Sequence, residues 1–394
     1  MAVERNNSIA NANLDIRAAE AKKWAAIAEM LPQVNLSADY SDMLGYKMNF
    51  GEMEVARPPY VDMSVQTSVA FNGAMMVSAQ ISDISKRMSD ISLKQTTQEV
   101  ESQVKTLYYS ALVSQQVLEL LGRNLADVRR LHEMTLTAVN VGTTEQTEAD
   151  RLAVQMSQLE NSIASSRRSL EMVFNSLRLQ LNVPVDTEIV LTDTLEDLLA
   201  VDEFMALLAE DFALDNNYNY QLMKENTLLA QKQLAAAKWA TTPTISAFHN
   251  YTVKEYFSDE MTMNMTPPNM VGVAVKIPIF SSLKHAKNIQ AARSAYEKQL
   301  NTMNDTENQL MVQHRQLCFN LNTAYDSYNT QKQNMELMQR VFDNTSKKFE
   351  QGYTSAMDVT TSGTTLIQAQ SSYIQALMEF VNAEIALEKL LSKE

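Results

Sequence analysis

Val141-Gly142-Thr143-Thr144 returns 210 residues later as Gln351-Gly352-Tyr353-Thr354, and this pair of segments decides how the rest of the chain is read. In each copy a Gly closes a long run of helical period, and hydroxyl and acidic residues follow it. That is a helix C-cap followed by a new N-cap. Upstream of the first copy, residues 74 to 141 hold no Pro and only Gly122; upstream of the second, 283 to 351 hold neither. Leu107, Ala111, Ser114, Leu118, Leu121, Leu125 and Val128 keep the 4-3-4-3 spacing of a coiled-coil seam, and Leu317, Leu321, Ala324, Tyr328, Gln331, Met335 and Met338 keep the same register. A helix of ~65 residues spans ~100 Å at its fixed rise per residue. Downstream the seam resumes, through Leu152, Met156, Leu159 and Ile163 in one copy and Ser362, Leu366, Ala369 and Tyr373 in the other. Each copy is therefore a helical hairpin with Gly142 or Gly352 at its tip.

The duplication extends beyond the tips. Ala2-Val3-Glu4-Arg5-Asn6-Asn7 matches Ala213-Leu214-Asp215-Asn216-Asn217-Tyr218 at a shift of 211, which also carries Pro32 onto Pro243. Phe71, before Asn72-Gly73, matches Phe280 in Ile277-Pro278-Ile279-Phe280 at a shift of 209. After each Pro the period changes to two, the strand signal. Val61, Met63, Val65, Thr67, Val69 and Phe71 share one face, and Asp62, Ser64, Gln66 and Ser68 the other. Val34, Leu36, Ala38 and Tyr40 alternate likewise against Asn35, Ser37, Asp39 and Ser41, as do Val271, Val273, Val275, Ile277 and Ile279 against their neighbours. Residues 245–254 alternate less cleanly, because Ala247, Phe248 and His249 blur the faces. The expected organisation is a first repeat over 1–182 with a β-hairpin at about 33–72, a connector over 183–212 packed outside the helical hairpins, and a second repeat over 213–392 with a β-hairpin at about 244–280.

Composition agrees with long helices and few turns. Of 394 residues only 8 are Gly and 8 Pro, too few for a turn-rich sandwich or a nucleotide fold with several Gly-rich loops. Four His and one Cys supply neither a zinc cluster nor a disulfide framework. Net charge is −14, which argues against a nucleic-acid partner. Met261, Met263, Met265 and Met270 are soft donors that suit Cu(I), or ordinary hydrophobes. His132, His249, His285 and His314 lie in different elements, and Cys318 reads as a small core residue. No cofactor or metal is expected, and no nucleophile–base pair or phosphate loop marks an enzyme. No apolar run reaches the roughly 18 residues of a transmembrane helix. The chain opens in mid-pattern at Ala2-Val3, which reads as a processed or trimmed N-terminus.

Two strand hairpins leave an apolar face without enough chain to cover it. Four strands cannot close a barrel, and an open edge is not tolerated in lipid. Strands of about 9–11 alternating residues are those of outer-membrane barrels, and three copies of the chain would give twelve. From the pattern alone two readings stand: a membrane barrel shared between copies, or a soluble coiled-coil scaffold carrying two hairpins.

The arrangement resembles the TolC-like outer-membrane efflux family over nearly the whole chain. The resemblance rests on the duplicated opening, Pro32 and Pro243, the strand exits at Phe71-Asn72-Gly73 and Pro278-Ile279-Phe280, and the two tips, in this order and twice. It implies a mainly α fold with membrane β, in which three chains close a 12-strand β-barrel over an α-helical tunnel. It implies a homotrimer in the outer membrane of a Gram-negative bacterium with a large periplasmic part, a periplasmic adaptor and a proton-driven or ATP-driven inner-membrane pump. The function so implied is passive conduction of small molecules; the same kind of duct serving type I protein secretion is the alternative.

Site residues follow from the same resemblance. Gly142, Thr143 and Thr144, with Gly352, Tyr353 and Thr354, would form the adaptor-docking tips. Asp358, with Glu148 at the matching place in the first repeat and Thr361 three residues on, would line the tunnel entrance. The competing reading of Asp358 is an exposed early-turn acid favoured by the helix dipole. The family's best-known gate places Tyr and Arg where this chain has Phe349 and Thr354, so that network is not transferable. In the strands, Asp39, Asp62, Ser64 and Gln66 are expected to face the barrel lumen, and Val61, Val65, Val69 and Phe71 the outer-membrane lipid.

Overall fold

The computed structural model describes residues 1–44, 46–51, 53–56, 58–193, 201–257 and 267–392. Gly45, Met261, Met263, Met265 and the connector residues 194–200 lie outside them. The first repeat runs α1 (Ala2–Arg5), α2 (Asn7–Ala28), β1 (Gln33–Ser41), β2 (Lys47–Phe50), β3 (Met53–Ala56), β4 (Tyr60–Phe71), α3 (Gly73–Asn140) and α4 (Gln146–Leu181). In the connector lies α5 (Val201–Leu208). The second repeat runs α6 (Tyr218–Trp239), β5 (Thr244–Tyr256), β6 (Asn269–Lys276), α7 (Lys284–Glu350) and α8 (Ala356–Leu391). The long helices α3 and α7 have 68 and 67 residues, and the return helices α4 and α8 have 36 each, so the duplication holds to within a residue.

The chain forms two compact units, and each draws on both repeats. One comprises Met1–Ala12, Ser92–Gln221 and Thr306–Glu394. Here the seam positions of α3, α4, α7 and α8 meet in a shared core: Val128 and Leu131, Leu152 and Leu159, Phe342, and Val359 and Leu366 form one buried cluster. Within this core Asn124 donates to Gln370 at 2.7 Å, a buried polar pair. Such a pair fixes register, because any slip strands both amides. A second cluster gathers Leu112, Leu321, Tyr328, Tyr373, Phe380 and Leu387 around Phe204 of α5. Phe204 is 1% exposed and stacks on Tyr325 at 4.3 Å. Phe204 thus anchors α5 to the long helices. At the start of the connector, Arg178 of α4 donates to the Thr187 carbonyl at 2.8 Å.

The duplicated opening motif acquires a physical purpose in this unit. Asn6 is 6% exposed; its carbonyl oxygen accepts from Ser8 N–H at 2.8 Å and its amide donates to the Gln180 carbonyl at 2.9 Å. Asn217, 4% exposed, accepts from Asn219 N–H at 3.0 Å and donates to the Leu390 carbonyl at 3.0 Å. Each Asn caps the helix it opens. Each also satisfies a carbonyl in the last turn of its repeat's return helix, which has no partner within that helix.

The other unit comprises Asn13–Ile91 and Leu222–Asp305 and holds the strands. They form one four-stranded antiparallel sheet in the order β1-β4-β5-β6, so the two hairpins lie edge to edge, and β2 and β3 make a separate ribbon in the loop of the first hairpin. Gly51 turns that ribbon at φ +68. Asp83 and Arg87 of α3 join Lys23 of α2 and Glu225 of α6 in a chain of ion pairs at 2.6–2.9 Å. The hydrogen bond from Lys23 holds the Asp83 carboxyl below the usual carboxylate range. At the exit of β4, Gly73 admits the Trp239 ring: an added Cβ would lie 2.2 Å from Cε3. Trp24 is mostly exposed. Among the described residues no helix is long and apolar enough to cross a membrane.

One expectation shifts by a residue. The hairpin register pairs Gln33 with Ser68 and Thr244 with Lys276. Gln33 corresponds to Thr244 through the Pro residues before them, so Ser68 corresponds to Lys276 and Phe71 to Ile279, not Phe280. The extra residue falls after β6, where Pro278 has no N–H to offer a ladder, and the strand itself stops at Lys276.

Candidate functional site: the two-faced sheet and the paired tips

Register sorts the sheet into two faces. Leu36 pairs with Val65 and Val65 with Tyr251; Ala247 pairs with Val69 and with Val273; Phe71 pairs with Ile245 and Ile245 with Val275. Val61, Val65, Val69 and Phe71 therefore share one face with the apolar residues of all four strands. This face is uncovered: Leu36 is 75% exposed, Val65 37% and Val273 73%. His249 interrupts it and lies 3.3 Å from Asn269 Oδ1.

Asp39, Asp62, Ser64 and Gln66 stand on the opposite face. Ser64 and Ser37 share a hydroxyl hydrogen bond of 2.8 Å. Asp39 is directly opposite Asp62, and Asp62 opposite Lys254, whose Nζ is 3.3 Å from Asp62 Oδ2 and 4.5 Å from the centre of the Tyr60 ring. Met270, opposite Asn250, and Phe248 are apolar exceptions on this face. Phe248 lies over Gly272, where a Cβ would come within 2.5 Å of its ring. The blurred alternation of 245–254 is thus an aromatic covering a glycine on the neighbouring strand.

The tips repeat one geometry. Gly142 and Gly352 both have φ +78. Gly142 N–H donates to Val139 and Thr143 N–H to Ala138; Gly352 N–H donates to Phe349 and Tyr353 N–H to Lys348, all at 2.8–2.9 Å. These are paired Schellman closures, and the left-handed backbone is why Gly stands there. Tyr353 projects outward at 79% exposure, whereas Phe349 packs against the apolar cluster of the four helices.

The acidic positions after the two glycines do different work. Asp358 forms a capping box with Ser355. Its Oδ2 accepts from Thr354 Oγ1 at 2.5 Å, Ser355 Oγ at 2.9 Å and Ser355 N–H at 3.2 Å. The Thr354 bond, then those from Ser355, hold its carboxyl below the usual value. Glu148 instead reaches across: its Oε2 accepts the backbone N–H of Ala356, the first residue of α8, at 2.8 Å. Thr361 donates to the Met357 carbonyl at 2.8 Å. Higher on the long helices, Arg130 of α3 pairs with Glu350 of α7 and lies 3.9 Å from Asp127. Burial, with Asp343 and Glu350 nearby, raises the Asp127 carboxyl above its ordinary value. Sequence reading missed this pair, since nothing in spacing places 130 beside 350. Among the described residues no group of three His, Cys, Asp or Glu side chains is placed to hold a metal ion.

No curated protein compared with the chain matches it in sequence. Among solved structures it is similar to the outer membrane protein VceC of Vibrio cholerae, at 12% identity and TM-score 0.80, covering 99% of this chain and 94% of that one. It is similar to the open-state outer membrane channel MtrE of Neisseria gonorrhoeae, at 14% identity and TM-score 0.81, covering 99% and 87%. It is also similar to CusC, whose structures describe transmembrane channel formation, at 14% identity and TM-score 0.82, covering 100% and 90%. These likenesses show the fold. The outer membrane efflux protein model matches twice, at residues 1–183 and 212–393, and the chain belongs to the outer membrane efflux protein family.

Proposed function

We propose that the chain is one third of a trimeric exit duct of a tripartite efflux pump, passively conducting small molecules across the outer membrane of a Gram-negative bacterium. The observation that carries this reading is the sheet. Its apolar face spans four strands, interrupted by His249 and Glu255, and is uncovered, its other face is mostly polar, and both edges lack a strand neighbour among the described residues. A bilayer accepts such a sheet only when closed, and three copies supply the twelve strands of a barrel with apolar exterior and polar lumen. Val61, Val65, Val69 and Phe71 then meet lipid, and Asp39, Asp62, Ser64 and Gln66 line the lumen.

The helical hairpins supply the periplasmic tunnel, with the tips at Gly142–Thr144 and Gly352–Thr354 as the adaptor-docking surface and Asp358, Glu148 and Thr361 near its entrance. The inner-membrane pump supplies the energy, and the duct performs no bond chemistry. Deleting the protein from its host should raise accumulation of a cationic dye such as ethidium, and restoring it should lower accumulation again. Unchanged accumulation, with loss of an exported protein from the medium, would place the duct in protein secretion.

A further inference from the structure

We propose that the barrel closes through β6 of one protomer and β1 of the next in one definite register, the register that the duplication carries over from the β4–β5 pair inside the chain. The proposal rests on the trimeric reading above and adds the pairing itself. Inside the chain, β4 of the first repeat pairs with β5 of the second: Val65 with Tyr251, Gln66 with Asn250, Thr67 with His249 and Ser68 with Phe248. Each of these residues has a counterpart on a free edge. Ser68 corresponds to Lys276, so Val65 corresponds to Val273 and Thr67 to Val275. Tyr251 corresponds to Tyr40 and His249 to Ala38, through Pro243 and Pro32. The transferred register therefore sets Val273 against the partner's Tyr40, Val275 against the partner's Ala38 and Lys276 against the partner's Ser37.

Two independent observations agree with it. The first is facial. A one-residue slip would put every side chain on the wrong face, whereas the transferred register joins apolar to apolar at Val273 and Val275; of the β6 valines Val271 alone meets a polar residue, the partner's Asp42. Beyond β6 the register also brings Ile277 and Ile279, 59% and 94% exposed, against the partner's Leu36 and the partner's Val34. The second is charge. Lys276 on one free edge and Asp39 on the other both stand on the polar face, and neither has an ion-pair partner among the described residues. The register puts them diagonally across the new pair, within reach of a Lys side chain. An inward-pointing charge on an edge strand also discourages pairing with the wrong chain. A register shifted by two also matches faces, and one such shift sets Lys276 directly opposite Asp39, so the ion pair supports this junction while the choice of register rests on the transfer from the β4–β5 pair.

Paired cysteines test the register in membranes, in a Cys318→Ser background so that no other thiol is present. Ala38→Cys with Val275→Cys should give cross-linked dimers and trimers on mild oxidation. Ala38→Cys with Val273→Cys or with Ile277→Cys should give at least fivefold less. A cross-link stronger in either shifted pair, or in none of the three while the trimer persists, would overturn the register and leave the duct standing. A protein that remains monomeric in the membrane would instead remove the duct reading, and the register with it. Charge exchange gives a second readout. Lys276→Asp or Asp39→Lys alone should lower the dissociation temperature of the trimer in detergent, and the double exchange should restore it. A double variant no better than either single one would overturn the Lys276–Asp39 pair.

Discussion

Glu148 of the first repeat caps the helix that begins at Ala356 in the second, through a carboxylate-to-amide bond of 2.8 Å. The equivalent acid, Asp358, caps its own helix with Ser355. Two residues that the duplication makes equivalent thus diverge: one binds tip to tip, and the other completes a local capping box. Glu148→Ala should cost the start of α8 about 1–2 kcal/mol, the usual worth of a cap with a charged acceptor. Hydrogen exchange at Ala356 and its neighbours should quicken accordingly, while the start of α4 keeps its protection. Unchanged exchange would mean that the bond across the tips holds nothing.

Asp358 carries two separable expectations. Its carboxyl lies below the ordinary value of 3.8 in the folded chain. A lowered folded value means that the capping contribution is present above the unfolded value and is lost as pH falls from about 3.8 through the folded one. Fraying at the start of α8 should therefore begin only below the pH at which ordinary carboxylates protonate, and Asp358→Asn should abolish that pH dependence. If three copies also ring the tunnel entrance, the same variant weakens cation selectivity and block by multivalent cations in low salt, where screening is least. Altered exchange with unaltered selectivity would leave Asp358 as a cap alone.

The two faces of β4 should respond differently to one substitution. Val65→Arg puts a charge on the apolar face and should cost membrane insertion about 2–4 kcal/mol near mid-bilayer. Gln66→Arg, on the face with Asp62 and Ser64, should insert normally and change conductance. Equal behaviour of the two variants would invalidate the assignment of lipid and lumen.

Asn217→Ala removes a buried amide that holds the Leu390 carbonyl and caps α6. The expected loss is about 1–3 kcal/mol, because a buried carbonyl is left without a donor. Asn6→Ala should lose a similar amount at the start of α2. A deficit in one variant but not in the other would show that the two clamps are not equivalent.

Much of this was legible because local signals and long-range order coincide. Gly142 and Gly352 announce a left-handed closure, and the period of two in 61–71 announces two faces before any partner strand is known. Other features have no local trace. The edge-to-edge pairing of β4 with β5 joins residues more than 170 positions apart, as Phe71 and Ile245 show. Such pairing is decided by packing and not by propensity. The burial of Phe204 was equally invisible, since a Phe in an acidic, apolar connector looks the same whether it is anchored or free. The one-residue offset after Lys276 escaped because aligning Phe71 with Phe280 scores better as letters than the true counterpart, Ile279. Only the hairpin register, which obeys face parity, corrects it. Asn6 and Asn217 were visible as a repeated motif, but their role depends on helix ends that sit beside them only in the folded chain.

The most direct test of the duct is electrical. Protein purified as a trimer and inserted into a planar bilayer should give discrete conductance steps of one size that grow with salt concentration, as a water-filled passage does. Gln66→Arg should shift those steps, and Val65→Arg should reduce the number of insertions. Trimer that is inserted by an independent measure, such as protease protection in liposomes, yet passes no current at any voltage would contradict the account.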